Sequence, residues 1–92
     1  MAKRFNGPFR LMRREIIGIL REEGFDVTQN EHPAFYEVSS RSQEVGRIDV
    51  YKKAGIIEVS VYLQYATKVA ASLPVPVAEG RQDGKAIFTF RP

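Results

Sequence analysis

Cationic side chains gather near the start of this 92-residue chain, where they could bind an anion. The candidate binding residues are Lys3, Arg4, Arg10, Arg13, Arg14 and Arg21. On an α-helix, Arg10, Arg14 and Arg21 would share one flank within an arc of roughly 40°. Guanidinium groups bind phosphate and carboxylate oxygens through paired N–H donors. This set therefore predicts a contact surface for nucleic acid or for an acidic protein surface.

The charges of this set are not neutralised within the predicted helix. Glu15 and Glu22 fall on the opposite flank, and Arg10 and Arg14 form a like-charge pair four residues apart. Cations near a helix start also oppose the helix dipole. In one interpretation the arginines bind an acidic partner. In the other they are solvated or pair with acidic residues elsewhere, namely Asp26, Glu31, Glu37 or Glu44.

A second candidate surface combines aromatic and basic residues on a predicted β-hairpin. Its residues are Arg47, Tyr51, Lys53 and Tyr62. Aromatic rings that alternate with cations on an open sheet can stack nucleic-acid bases. The same composition suits a protein–protein interface. A third interpretation is ordinary strand composition, or a sheet face covered by the C-terminal hairpin.

Patterns for catalysis and metal binding are sparse. Asp49 and Glu58 fall near each other on the outer face of the hairpin, as carboxylates that hold Mg²⁺ in nucleases do. The residue two after Glu58 is Ser60, where a nuclease of the restriction-enzyme type carries lysine. The single histidine, His32, precedes Pro33 in a predicted turn. No glycine-rich phosphate loop or nucleophile elbow occurs. We expect no catalytic residue, no metal, no cofactor and no enzymatic activity.

Composition places the chain among small globular proteins. Hydrophobic residues make up 43% and charged residues 27%, with a net charge of +3 and no cysteine. No apolar run reaches the ~18 residues that a membrane span requires. The N-terminus has no apolar segment of the kind that a secretory signal needs. We expect a cytoplasmic protein with no membrane contact, organised as a flexible basic N-terminal arm (residues 1–7) and one small α+β domain (residues 8–92).

Helical periodicity positions the arginines. Residues 8–23 predict a helix with Asn6 or Gly7 as its cap, Pro8 at its first position and Gly24 as its stop. Its core-facing residues are Phe9, Met12, Ile16, Ile17, Ile19 and Leu20.

Alternating apolar residues predict the sheet. Strands are expected at 25–29, 35–39, both arms of a hairpin at 45–64, and 85–91. Polar segments at 30–34, 40–44 and 80–84 predict turns and loops, and the prolines of 74–79 predict an edge strand or coil. A short helix is expected at 65–73. The fold class is α+β, with one long N-terminal helix packed on an antiparallel sheet of about four to five strands and a short second helix.

The predicted hairpin turns at Ala54-Gly55, which places Val50 opposite Val59 and Ile48 opposite Val61. Its apolar face would pack on the core. The opposite face, which carries Tyr51 and Tyr62, would face solvent or a partner.

The order of helix, three strands and helix over residues 8–73 is similar to that of double-stranded-RNA-binding domains and HicA-type toxin ribonucleases. The chain departs from both patterns. His32 is not preceded by glycine, and Lys68 is the one lysine in the second helix. No functional residue carries over.

The sequence therefore predicts a small non-enzymatic binding module that contacts nucleic acid through its basic helix flank and arm. The alternative is a small adaptor or inhibitor that binds another protein, with a homodimer as one possible form. That alternative would use the tyrosine-bearing face and the edge strand at 74–79.

Overall fold

A computed structural model describes residues 7–30 and 35–92 of the chain. The elements are α1 (Phe9–Glu22), β1 (Asp26–Gln29), β2 (Phe35–Ser40), β3 (Gln43–Tyr51), β4 (Ile56–Tyr62), α2 (Leu63–Ser72), β5 (Ala78–Gln82) and β6 (Lys85–Phe90). The α+β class, the two helices and the antiparallel sheet are confirmed. The predicted number of strands was too low, because the described part of the chain forms a sheet of six strands.

The helix α1 begins one residue later than predicted. Pro8 is the N-cap residue, and its C=O accepts hydrogen bonds from the N–H groups of Leu11 (3.0 Å) and Met12 (3.1 Å). Pro8, rather than Gly7, therefore holds the cap position, and no side chain of the described residues caps this end; Asn6 lies outside those residues. Proline suits a helix start, where a missing N–H breaks no intrahelical bond.

The C-terminal end of α1 is fixed by Gly24, as predicted. Its φ of 94° lies in the left-handed region that glycine adopts without a steric cost. The Gly24 N–H donates to the Arg21 C=O, and the Phe25 N–H donates to the Leu20 C=O, both at 3.1 Å. This is a Schellman motif, which satisfies the last carbonyl groups of the helix. It turns the chain directly into β1.

The sheet has the strand order β1-β2-β3-β4-β6-β5, with every neighbouring pair antiparallel. Both helices pack on one face of it. From α1 the core takes Met12, Ile16 and Leu20, all fully buried, while Phe9, Ile17 and Ile19 are partly buried against it. The sheet contributes Val27, Tyr36, Val38, Val45, Ile48, Val50, Ile57, Val59, Val61, Ala86, Phe88 and Phe90. The predicted apolar stripe of α1 is thus its core face.

The register of the β3–β4 hairpin differs from the prediction by two residues. Ile48 lies opposite Val59, and Val50 lies opposite Ile57. The turn spans residues 52–55, so it is longer than the predicted Ala54-Gly55 tip. Because side chains alternate with a period of two, a shift of two residues leaves Ile48, Val50, Ile57, Val59 and Val61 on the core face, as predicted.

Gly46 marks an irregularity in β3. The register between β2 and β3 shifts between Val38 and Ser39, which is a β-bulge. A Cβ built on Gly46 would overlap the backbone carbonyl of Ser60 on β4. Only glycine therefore allows the two backbones to approach at this point.

The C-terminal hairpin also departs from the prediction. Residues 80–82 were expected in a turn, but they belong to β5, and the turn is reduced to Asp83-Gly84. Both turn residues have positive φ angles of 51° and 74°. Asp-Gly is a favoured pair for such a two-residue hairpin turn. The β2–β3 loop is likewise shorter than predicted, since strands reach Ser40 and Gln43.

The second helix is confirmed, although α2 begins at Leu63 and ends at Ser72 rather than spanning 65–73. Four strands precede it, so the order differs from the helix, three strands and helix on which the resemblance to double-stranded-RNA-binding domains and HicA-type toxins rests. Within the described residues, neither helix has the length and apolar character needed to cross a bilayer.

Candidate functional site

An open groove of about 420 Å³ runs along α1 where the helix meets β1 and β2. Its lining residues are Arg10, Arg13, Arg14, Ile17, Gly18, Arg21, Gln29 and Tyr36. Among the described residues that line the groove, half are arginines and none is acidic. All four helical arginines of the predicted site therefore lie around one concave surface, which we call the arginine groove.

The α1 helix places each arginine relative to the core. Arg10, Arg14 and Arg21 are exposed, while Arg13 is half-buried between them and the core-facing side of the helix. Ile17 and Tyr36 provide apolar surface in the groove. Gly18 leaves its wall open, since a Cβ at this position would contact nothing within 4 Å. The groove thus has cationic rims and a partly apolar interior.

The positive charge of the groove is not neutralised inside the described part of the chain. The one ion pair found there joins Arg47 and Asp49 and lies on the sheet. Of the carboxylates considered as partners, Glu37 accepts a hydrogen bond from Asn30 at 3.3 Å, and Glu44 accepts one from Tyr62. Glu31, Lys3 and Arg4 lie outside the described residues. The described carboxylates therefore leave the groove cationic.

Arg21 has a structural role as well. Its Nη2 donates a hydrogen bond of 2.8 Å to the backbone C=O of Val27 on β1. The Asn30 N–H donates to the Phe35 C=O on β2, so alternation along the strand directs the Val27 carbonyl away from β2. Arg21 therefore joins α1 to the free edge of the sheet, and its guanidinium is less available to a ligand than those of the other three.

The second predicted surface has a different character. Arg47 forms a hydrogen-bonded ion pair with Asp49, at 2.7 Å from Nη2 to Oδ1, and its guanidinium lies 3.9 Å above the ring of Phe35. This cation is thus already paired and stacked. Lys53 lies in the exposed β3–β4 turn, away from the body of the sheet. The two basic residues of this surface do not form a cluster.

The two tyrosines of this face have acidic neighbours. Tyr62 donates a hydrogen bond of 2.9 Å to Glu44, and this bond raises the pKa of the Tyr62 hydroxyl. Tyr51 is 47% exposed. Partial burial raises the pKa of Tyr51, and the negative charges of Asp49 and Glu58 raise it further.

The outer face of the sheet is acidic. The strand registers place two basic residues, Arg47 and Lys85, on this face together with five acidic ones: Asp26, Glu37, Glu44, Asp49 and Glu58. A phosphate chain would be repelled by this surface. The structure thus separates charge, with the arginine groove beside the helix and excess carboxylates on the opposite side of the sheet.

The carboxylates considered for metal binding are cross-strand neighbours, since Asp49 lies directly opposite Glu58. Asp49 already forms an ion pair with Arg47. Across residues 7–30 and 35–92, no three acidic or histidine side chains converge as a metal ion would require. His32 lies outside that part of the chain.

Sequence reasoning missed the residues that give the groove its shape. Gly18, Gln29 and Tyr36 line it, but the helical pattern alone does not show where the sheet meets α1. One signal was present: Gly18 interrupts a strong helical pattern and falls beside the arginine flank on the helical wheel. A glycine in a helix interior costs about 1 kcal/mol relative to alanine, so it calls for an explanation.

Comparison with known proteins found no family model, no curated protein and no solved structure that matches this chain. The geometry of the arginine groove therefore carries the functional inference.

Proposed function

We propose that this protein is a non-enzymatic binding module that holds the phosphate backbone of nucleic acid in its arginine groove. The observation that supports this proposal most directly is the groove itself, which four arginines line and which no carboxylate of residues 7–30 and 35–92 enters. Arginine suits phosphate because its planar fork of donors matches the phosphate oxygens. The N-terminal arm, through Lys3 and Arg4, would add two further cations.

The geometry favours contacts with the backbone over readout of bases. One flank of α1 carries the arginines, and the opposite flank carries Glu15 and Glu22. If the helix entered the major groove of a duplex, those carboxylates would approach the second phosphate chain. Contacts with a single phosphate backbone fix where a protein lies on nucleic acid, but they do not specify a sequence. We therefore expect weak dependence of affinity on sequence.

The test is a fluorescence anisotropy titration with labelled single-stranded and duplex oligonucleotides at low salt. The variant Arg10→Gln/Arg13→Gln/Arg14→Gln spares Arg21, which supports the fold, and should lose binding. A matched control removes three exposed cations that do not line the groove, in Arg41→Gln/Lys52→Gln/Lys53→Gln. The control should keep most of its affinity. Equal losses in both variants would show that net charge, rather than the groove, causes binding.

Salt dependence gives an independent count of the contacts. Three described arginines are free to release counterions, so the slope of log K against log salt concentration should be about −2.7 for duplex and −2.1 for single strands. Lys3 and Arg4 would steepen it. Removing Arg14 alone should make the duplex slope shallower by about 0.9. Binding without salt dependence would contradict the proposal.

A second candidate function is that of an adaptor or inhibitor that binds another protein. It is supported by the outer sheet face, which neither described helix covers and where Tyr51 is exposed. For a protein partner on this face, Tyr51→Glu should abolish capture while the triple arginine variant retains it. The opposite pattern would assign the partner to the groove. For either function we propose a cytoplasmic location, because the chain has no cysteine.

A further inference from the structure

The strand β5 forms an open edge of the sheet. All five of its residues, Ala78–Gln82, are exposed, and β6 is its one partner among the described strands. An edge strand presents unpaired N–H and C=O groups that can bind another strand. The edge formed by β1 is less open than that of β5, because α1 lies beside it and Arg21 donates a hydrogen bond to the Val27 carbonyl. β5 is therefore the edge at which a further strand can add.

The hairpin register shows which backbone groups of β5 point outward. Gln82 flanks the two-residue turn, and the two residues that flank such a turn bond to each other. The backbone N–H and C=O groups of successive residues in a strand point to opposite sides. Every second residue before Gln82 therefore also bonds to β6. The N–H and C=O groups of Glu79 and Arg81 therefore point toward the free edge.

We propose that β5 binds β5 of a second copy of this chain, antiparallel and about a two-fold axis at Gly80. In that register, Glu79 lies opposite Arg81 of the second copy, and Arg81 lies opposite its Glu79. Both outward-facing residues would then exchange backbone hydrogen bonds with their counterparts. A contact of this kind is isologous, with the same patch used by both copies.

The side chains of Glu79 and Arg81 reinforce this register. Their partners in β6 are the buried residues Phe88 and Ala86, so both side chains lie on the helix side of the sheet, at the rim of an open groove beside α2. Opposite charges directly across a strand pair stabilise it, and like charges destabilise it. The charges of β5 are therefore complementary to those of a second β5.

The same charges exclude the neighbouring registers. Shifting the two-fold axis by one residue, to Glu79 or to Arg81, is the smallest change that keeps the same side chains on the helix side. It would place Glu79 opposite Glu79, or Arg81 opposite Arg81, of the second copy. Both arrangements put like charges across the strand pair. Since the contact area of a five-residue strand is small, we expect a weak dimer that forms only at high protein concentration.

The test exchanges charges within β5 and measures mass by sedimentation equilibrium over a wide concentration series. Glu79→Arg places arginine opposite arginine, and Arg81→Glu places glutamate opposite glutamate. Each variant should dimerise at least about tenfold more weakly than the wild type. Mixed in equal amounts, the two variants should associate at least as well as the wild type, because every cross-strand pair is again of opposite charge.

Several outcomes decide the proposal. A wild-type chain that stays monomeric at every concentration would overturn it. So would single variants that dimerise as well as the wild type, which would place the contact elsewhere. Circular dichroism of both variants is the control for folding, which we expect both to retain because the two positions are exposed. No nucleic acid is present, so the result is independent of the proposed function.

Discussion

Replacing Gly18 by alanine tests the geometry of the arginine groove through stability. Gly18 lies in the interior of α1, where alanine is more favourable than glycine by about 0.8–1.0 kcal/mol. A Cβ there meets nothing within 4 Å, so no clash offsets this gain. We expect Gly18→Ala to raise the free energy of unfolding by about 1 kcal/mol and the melting temperature by roughly 4–8 °C.

The assay is urea denaturation followed by far-ultraviolet circular dichroism, with Glu15→Ala as the control. Glu15 is exposed on the opposite flank of the same helix, and glutamate is almost as good a helix former as alanine. The control should therefore change stability by only a few tenths of a kcal/mol. A loss of stability in Gly18→Ala would mean that the groove wall is occupied in solution, and the reasoning would be wrong.

The same position separates stability from binding. Gly18→Leu should also stabilise the helix relative to glycine, but its side chain would project into the arginine groove. We expect nucleic-acid affinity to fall in the order wild type, Gly18→Ala and Gly18→Leu. Both variants should be more stable than the wild type. A leucine variant that binds as tightly as the wild type would mean that the groove interior makes no contact.

Three further perturbations test other features of the fold. Gly46→Ala should destabilise the protein by about 3 kcal/mol or more, seen as a lower urea midpoint or as insoluble protein, because its Cβ would overlap the Ser60 carbonyl. Ser42→Gly should stabilise it by about 0.5–1 kcal/mol in thermal melts, because the φ of Ser42 is 68°. The bond from Tyr62 to Glu44 raises the tyrosine pKa, so its stabilising effect is present below about pH 10 and is lost as pH rises through the raised pKa. Tyr62→Phe should reduce the alkaline loss, measured as urea midpoints against pH, and leave the part that comes from the raised pKa of Tyr51.

Periodic patterns in the sequence predicted most of the elements but not how the strands meet. The hairpin was identified, and the faces of its paired residues were assigned correctly, because alternation reports which side a residue faces. Alternation is unchanged by a shift of two residues, so it could not fix the register between Ile48 and Val59. The turn length decides that register, and the segment 52–55 carries only one glycine as a signal.

Tight turns and edge strands caused the other differences. β5 contains Gly80 and polar residues with no apolar alternation, which is typical of a turn rather than a strand. It pairs because β6 beside it is strongly apolar and the Asp83-Gly84 turn brings the two together. At the β2–β3 turn, Arg41 and Ser42 adopt positive φ angles without the glycine or asparagine that normally marks such a turn.

The candidate site was predictable in part. The helical wheel placed Arg10, Arg14 and Arg21 on one flank, and in the structure these three line one groove together with Arg13. The bond from Arg21 to the Val27 carbonyl joins residues on two elements, so no local pattern predicts it. The pairing of Arg47 with Asp49 was easier to predict from the sequence, because residues two apart on a strand share a face.

The hydrogen bond from Arg21 to Val27 also limits how far an assembly of this protein can grow. A sheet with two open edges can add copies at both, which leads to fibres. Here one edge carries α1 and a guanidinium on its carbonyl, and the other is consumed when β5 binds its own copy. Association through β5 therefore terminates at two chains, and the basic grooves of the pair lie at the two far ends of one continuous sheet.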